Sequence, residues 1–136
     1  MWSVIDLNTR TTIPVQNAVQ NPNMPPYQKS DDDLAFSKIK PLEKIDNQKE
    51  FYVRFNDLDV NGHANNGNYI AWALEALSKD FILNNKIKTM DLMFKKEAIS
   101  GETIISAVEH KEGNITSHVI KNQNNEDLCL IECQWI

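Results

Sequence analysis

Apolar and polar positions alternate with a period of two along much of the chain and take a helical period in one long stretch. Glu50-Phe51-Tyr52-Val53-Arg54-Phe55 puts Phe51, Val53 and Phe55 on one face, which predicts a half-buried strand. Farther on, Ile70, Leu74, Leu77 and Phe81 fall at helical spacing, and Trp72, Ala73 and Ala76 widen that face. A largely buried helix is therefore predicted from a cap at Asn65 or Asn66 through Leu83, ended by Asn84-Asn85. The period of two returns in Ile87 to Glu97, Thr103 to His110, Ile115 to Lys121 and Leu128 to Ile136. Turn signals at Gly101, Lys111-Glu112-Gly113-Asn114 and Asn122 to Asn125 separate these runs. One strand, one long apolar helix and a four-strand meander predict an α+β domain, an antiparallel sheet wrapped on a central helix.

Residues 1–48 carry a different pattern. Trp2-Ser3-Val4-Ile5-Asp6-Leu7 predicts a short strand. Thr9 to Ser30 is poor in apolar residues and holds Pro14, Pro22, Pro25 and Pro26, which remove ladder donors and disfavour helix on their N-terminal side. That stretch reads as a linker. Asp31-Asp32-Asp33 suits a helix N-terminus, with Leu34, Ala35 and Phe36 behind it. The expected organisation is a lone strand and linker over 1–48, as though cut from something longer, then one domain over 49–136.

Composition narrows the function. The 136 residues leave room for one ordinary domain, 41% apolar and 24% charged. No apolar run approaches the roughly 20 residues that span a bilayer, and the N-terminus lacks the pattern of a signal peptide. A cytoplasmic protein without membrane insertion is expected. A net charge of −5 argues against nucleic acid as the main partner. An acidic partner would need a local basic patch, for which Lys38, Lys40 and Lys44, or Lys86, Lys88, Lys95 and Lys96, are candidates; for any one of them a solvated charged surface is the ordinary reading. Cys129 and Cys133 lie four apart in a predicted strand, roughly 13 Å between Cα atoms, beyond disulfide reach but on one face. They are expected in the core. No metal-ligand spacing accompanies them, and no cofactor is expected.

The chemistry gathers between the first strand of that domain and its helix. Arg54-Phe55-Asn56-Asp57-Leu58-Asp59-Val60-Asn61-Gly62-His63-Ala64-Asn65-Asn66 packs carboxylates, a histidine and several amides into a strand-to-helix loop. Taken singly, Asp57 and Asp59 are ordinary turn or cap residues, and a strand glutamate such as Glu97 is ordinarily a solvent-facing charge. Tyr69 and Trp72 read as core, and His110 and His118 as strand surface positions.

The Asp-x-Asn-x-His-x-Asn-Asn spacing at 59–66, with Tyr69-Ile70-Ala71-Trp72 and Glu75-Ala76-Leu77 behind it, resembles the acyl-acyl carrier protein thioesterases. Leu92-Met93-Phe94-Lys95-Lys96-Glu97 is similar to a second motif of that family, and Trp2 to Asp6 to the last strand of its first domain. The resemblance implies two tandem hotdog domains, of which this chain would be the second with the linker. It places catalysis on Asp59, Asn61, His63 and, across on a strand, Glu97.

Thioester hydrolysis needs an activated water and a donor for the developing oxyanion. Glu97, among Phe94, Ala98 and Ile99, is expected in a half-apolar setting that raises its proton affinity and makes it the base. Asn61 would orient water or the carbonyl, His63 would donate to the carbonyl oxygen or the leaving sulfur, and Asp59 would orient Asn61 or His63. The first N–H groups of the helix could also serve an oxyanion. Ala98 stands where plant members carry a cysteine after the glutamate, so a cysteine nucleophile is not expected. Hydrolysis of fatty acyl-acyl carrier protein to free fatty acid is the leading expectation. The alternatives are an acyl-coenzyme A thioesterase and a noncatalytic acyl-binding or dimerisation half-domain. An exposed sheet edge predicts a homodimer through hotdog pairing.

Overall fold

The computed structural model of the chain describes residues 38–136 together with Val4, Ile5, Asn8, Thr12 and Ile13. Contacts divide the chain into two compact units, Met1–Ala35 and Phe36–Ile136. In the first unit β1 (Val4–Ile5) pairs antiparallel with β2 (Thr12–Ile13), so the stretch expected to be linker contributes a two-residue strand. The helix expected after Asp31 lies outside the described residues.

The second unit is an antiparallel sheet of β3 (Asn47–Tyr52), β4 (Ile87–Phe94), β5 (Thr103–Lys111), β6 (Ile115–Asn122) and β7 (Asp127–Trp135). Its spatial order is β3-β5-β6-β7-β4. The α+β expectation holds, but the four-strand meander does not. Strands β5, β6 and β7 follow one another through tight turns, where Gly113, Asn114 and Asn125 take the positive φ that such connections need. Strand β4 joins the far side of β7, with Leu92 opposite Ile131 and Met90 opposite Cys133. A period of two marks a segment as a strand without naming its neighbour. Residues 95–102 must therefore cross from one side of the sheet towards the other before β5 begins. They cross the end of the sheet at which β3 also finishes, since Tyr52 lies opposite Thr103.

The predicted single helix is two. Helix α1 (Asn66–Glu75) is capped by Asn65, whose Oδ1 accepts from Gly67 N–H at 3.0 Å. Ser78 then caps α2 (Lys79–Asn84) through its hydroxyl, which accepts from Phe81 N–H. A serine that satisfies the backbone of a new first turn breaks a helix that the apolar spacing alone would continue. Asn47 Nδ2 on β3 donates to the Ala76 carbonyl at 2.8 Å and so closes the end of α1. Tyr69, Trp72, Ala73, Ala76 and Leu77 are buried, whereas Leu83 keeps 71% exposure. Phe55 is likewise outside the core at 85% exposure, because β3 stops at Tyr52 and Phe55–Asp57 forms a 3-10 turn.

The buried face of α1 packs on Ile104, Val108, Ile120, Ile131 and Trp135. A smaller cluster on the other side of the sheet joins Ala107, Val119 and Leu130 to Ile39, with Leu42 and Met93 against it. Both cysteines are free and buried, as expected. Burial pushes Cys129 up to about 12 and Cys133 up to about 11, so neither is a thiolate at neutral pH.

His118 contradicts its reading as a surface position. It lies between Val108 and Ile131 in mid-sheet, on the face that α1 covers, and is fully buried. Trp135 Nε1–H donates to Thr116 Oγ1 at 2.9 Å, and that hydroxyl lies 2.9 Å from His118 Nε2. The threonine hydroxyl thus links the indole to the imidazole, and the direction of its bond to Nε2 follows the ring's tautomer. Burial pushes the imidazole down to about 4, helped by the charge of His110 and opposed by the backbone of Ala73. His110 is exposed, as expected.

Candidate active site

The strand-to-helix loop is built around Asp57. Its buried carboxylate accepts from Arg54 N–H at 2.8 Å, Arg54 Nη2 at 3.1 Å and Arg54 Nε at 3.3 Å. Burial alone would raise this carboxyl; the Arg54 hydrogen bonds and charge outweigh it and hold the group below the usual carboxylate range. The Asp57 carbonyl accepts from Asn65 N–H at 2.8 Å and Asn68 Nδ2 at 2.7 Å. The turn reading of Asp57 is right in kind, and the arginine three residues upstream is the signal for its anchoring part.

Asp59 shapes the tip of the loop. Its Oδ1 accepts from Asn61 N–H at 2.8 Å and His63 N–H at 3.2 Å. Its own N–H donates to the His63 carbonyl at 2.7 Å, and Gly62 N–H to the Asp59 carbonyl at 3.1 Å. Gly62 sits at φ +77°, a conformation that L side chains rarely adopt. Asp59 thus holds the backbones of Asn61 and His63 rather than their side chains. Asn61 is exposed, and its amide side chain makes no hydrogen bond among the described residues.

The crossing segment brings the fourth residue. Ala64 N–H donates to the Ala98 carbonyl at 2.9 Å, His63 forms a bridge pair with Ile99, and Ala98 N–H donates to Tyr69 Oη at 2.8 Å. These contacts set Glu97 beside His63, with Nδ1 2.7 Å from Oε2. Two expectations for Glu97 need correction. It lies beyond the end of β4, not on the strand, because Lys95 and Lys96 N–H already turn to the Leu128 carbonyl. Its side chain keeps 68% exposure, so the half-apolar setting is not built within this chain; its neighbour Ala98 takes the buried place instead.

With Glu97 accepting from Nδ1–H, the neutral His63 ring presents Nε2 as an acceptor, which makes no hydrogen bond among the described residues. His63 is half-exposed, so a reactant can reach it. The pair can take a proton from water or return one to a leaving group. Along the loop, an open groove of about 640 Å³ is lined in part by Phe51, Tyr52, Trp72 and Asp57. The lysines near the crossing segment are paired: Lys95 and Lys121 with Asp127, and Lys96 with Glu126. No helix among the described residues is long and apolar enough to cross a membrane.

A helix packed on a five-stranded antiparallel sheet, with polar loops meeting at one end, is the hotdog architecture. It superposes on the 12:0-ACP thioesterase from Umbellularia californica with a TM-score of 0.73 at 22% identity, over 97% of this chain and 52% of that one. It also superposes on a thioesterase complexed with coenzyme A and Zn from Thermus thermophilus, TM-score 0.59 at 17% identity, over 68% of this chain and 84% of that one. In sequence it is similar to the chloroplastic palmitoyl-acyl carrier protein thioesterase of Arabidopsis thaliana, 34% identical over 103 residues, 71% of this chain and 25% of that protein. Residues 40–136 match the model of the acyl-ACP thioesterase C-terminal domain. The chain belongs to the acyl-ACP thioesterase family. It spans 28%, 25% and 35% of the lengths of three curated relatives.

Proposed function

We propose that the chain hydrolyses fatty acyl thioesters of acyl carrier protein at the His63–Glu97 pair. The observation that carries this reading is the 2.7 Å contact between two side chains 34 positions apart, supplied by two separate loops at one end of the sheet. Water beside the pair loses a proton to it and attacks the thioester carbon. The tetrahedral intermediate then breaks its carbon–sulfur bond, and the same proton goes to the leaving sulfur. Asn61, whose amide is free of partners among the described residues, donates to the developing oxyanion. Asp59 keeps Asn61 and His63 in register through their backbones. Family membership supports the carrier protein as substrate partner. The unpaired edge of β3 among the described residues supports a homodimer joined through the sheet.

Palmitoyl-carrier protein and palmitoyl-coenzyme A, offered to the purified chain at equal concentrations, separate the two carriers. The expected result is faster hydrolysis of the carrier-protein thioester. A strong preference for coenzyme A would overturn the choice of carrier.

A further inference from the structure

The two loops of the site have no covalent connection near it, so something must fix their separation. Each reacting side chain sits one residue before an anchored amide. His63 precedes Ala64, whose N–H donates to the Ala98 carbonyl, and Glu97 precedes Ala98, whose N–H donates to Tyr69 Oη. Ala98 is thereby gripped from both sides, by the strand-to-helix loop and by the first turns of α1. Ala98 and Tyr69 are both buried, so neither hydrogen bond competes directly with water. Tyr69 is itself fixed edge-on against Trp72 and Phe94, each with ring centroids 5.3 Å away. Phe94 ends the strand from which the Glu97 loop departs, so Tyr69 touches that loop at its root and at Ala98.

We infer that the Tyr69 hydroxyl is a positioning residue that sets the His63–Glu97 pair through Ala98. The inference rests on the reading of that pair as the reactive site, but its geometric content is independent of catalysis. Without the hydroxyl, Ala98 N–H is a buried donor with no acceptor; the segment shifts to find one, and Glu97 moves away from the imidazole.

The test compares Tyr69→Phe, Glu97→Gln and Val108→Ala in the full chain. Val108→Ala creates a core defect in β5, opposite Asn47 and His118. The readouts are the long-range ¹H–¹⁵N spectrum of the His63 ring, amide exchange at Ala98, and thioester hydrolysis. Tyr69→Phe is expected to move the His63 ring signals towards those of Glu97→Gln and to speed Ala98 exchange about tenfold more than Val108→Ala does. It is also expected to lower kcat with little change in KM. Val108→Ala is expected to leave the His63 signals in place. Unmoved His63 signals in Tyr69→Phe, or equal movement in Val108→Ala, would overturn the inference. Should Tyr69→Phe fail to fold, the wild-type exchange decides: Ala98 must be protected while Glu97 is not, and equal exchange at both overturns it. Displaced His63 signals in a chain that hydrolyses no thioester would uphold the positioning role and remove the catalytic reading.

Discussion

His118 shows how a single residue can carry a pH dependence that has nothing to do with the site. Its folded-state value near 4 lies below the ordinary 6.5, chiefly because burial disfavours the charged ring. The unfolded chain therefore takes up a proton as pH falls through 6.5, while the folded chain resists until about 4. The stabilising contribution is complete above 6.5 and is lost across that window, on the order of 3 kcal/mol at most. Urea midpoints of wild type and His118→Gln between pH 4 and 7 should converge towards the acid end, with the shallower slope in the variant. Parallel slopes would show that His118 does not titrate with folding. Sequence alone misplaces this position because Thr116, His118 and Ile120 share one face while Ile115, Ser117 and Val119 share the other. Both faces look half-apolar, and only the side on which α1 settles decides between them. Asp59 and His63 are legible because their spacing is itself the signal, whereas the exposure of Glu97 depends on where β4 stops.

At the scale of elements, the break between α1 and α2 matters most. The apolar spacing runs unbroken from Ile70 to Phe81, so nothing in its period marks the stop. The stop is chemical: Ser78 offers a hydroxyl to the Phe81 N–H and starts a second helix. Ser78→Ala should lower stability by about 1 kcal/mol in urea unfolding. No loss would mean that the break is imposed by packing against the sheet. Strand pairing is the other feature that the local pattern does not carry. Hairpins between β5, β6 and β7 follow from local turn residues, but β4 finds β7 through Leu92 and Met90 against Ile131 and Cys133, a long-range match that no local pattern encodes. That placement has a geometric consequence. Because β4 and β5 do not pair, their connection spans the sheet end and carries Glu97 to His63.

For the molecule as a whole, the hotdog plan accounts for the position of the candidate site and leaves two sheet edges unpaired among the described residues, that of β4 and, on the opposite side, that of β3. Four of the six residues of β3, Asn47 to Glu50, are exposed, and Tyr52 is exposed beside the groove that runs along α1. Such an edge is a template for another strand. Sedimentation at micromolar concentration should give twice the 15.6 kDa chain mass. A monomer would remove the proposed pairing without touching the site. The buried thiols bear on the mechanism too. Cys129 and Cys133 sit beneath α1 and are held protonated, and Ala98 occupies the position after the glutamate, so attack by water is the chemistry these residues support.

The most direct test of that account is the rate of acyl-carrier protein hydrolysis by Glu97→Gln. The substitution keeps size and shape at an exposed position, so folding should not change, while the carboxylate that accepts from His63 is lost. A fall of about a hundredfold or more in kcat is predicted, as for removal of a positioned proton acceptor. A rate within about twofold of wild type would contradict the assignment of the reaction to this pair.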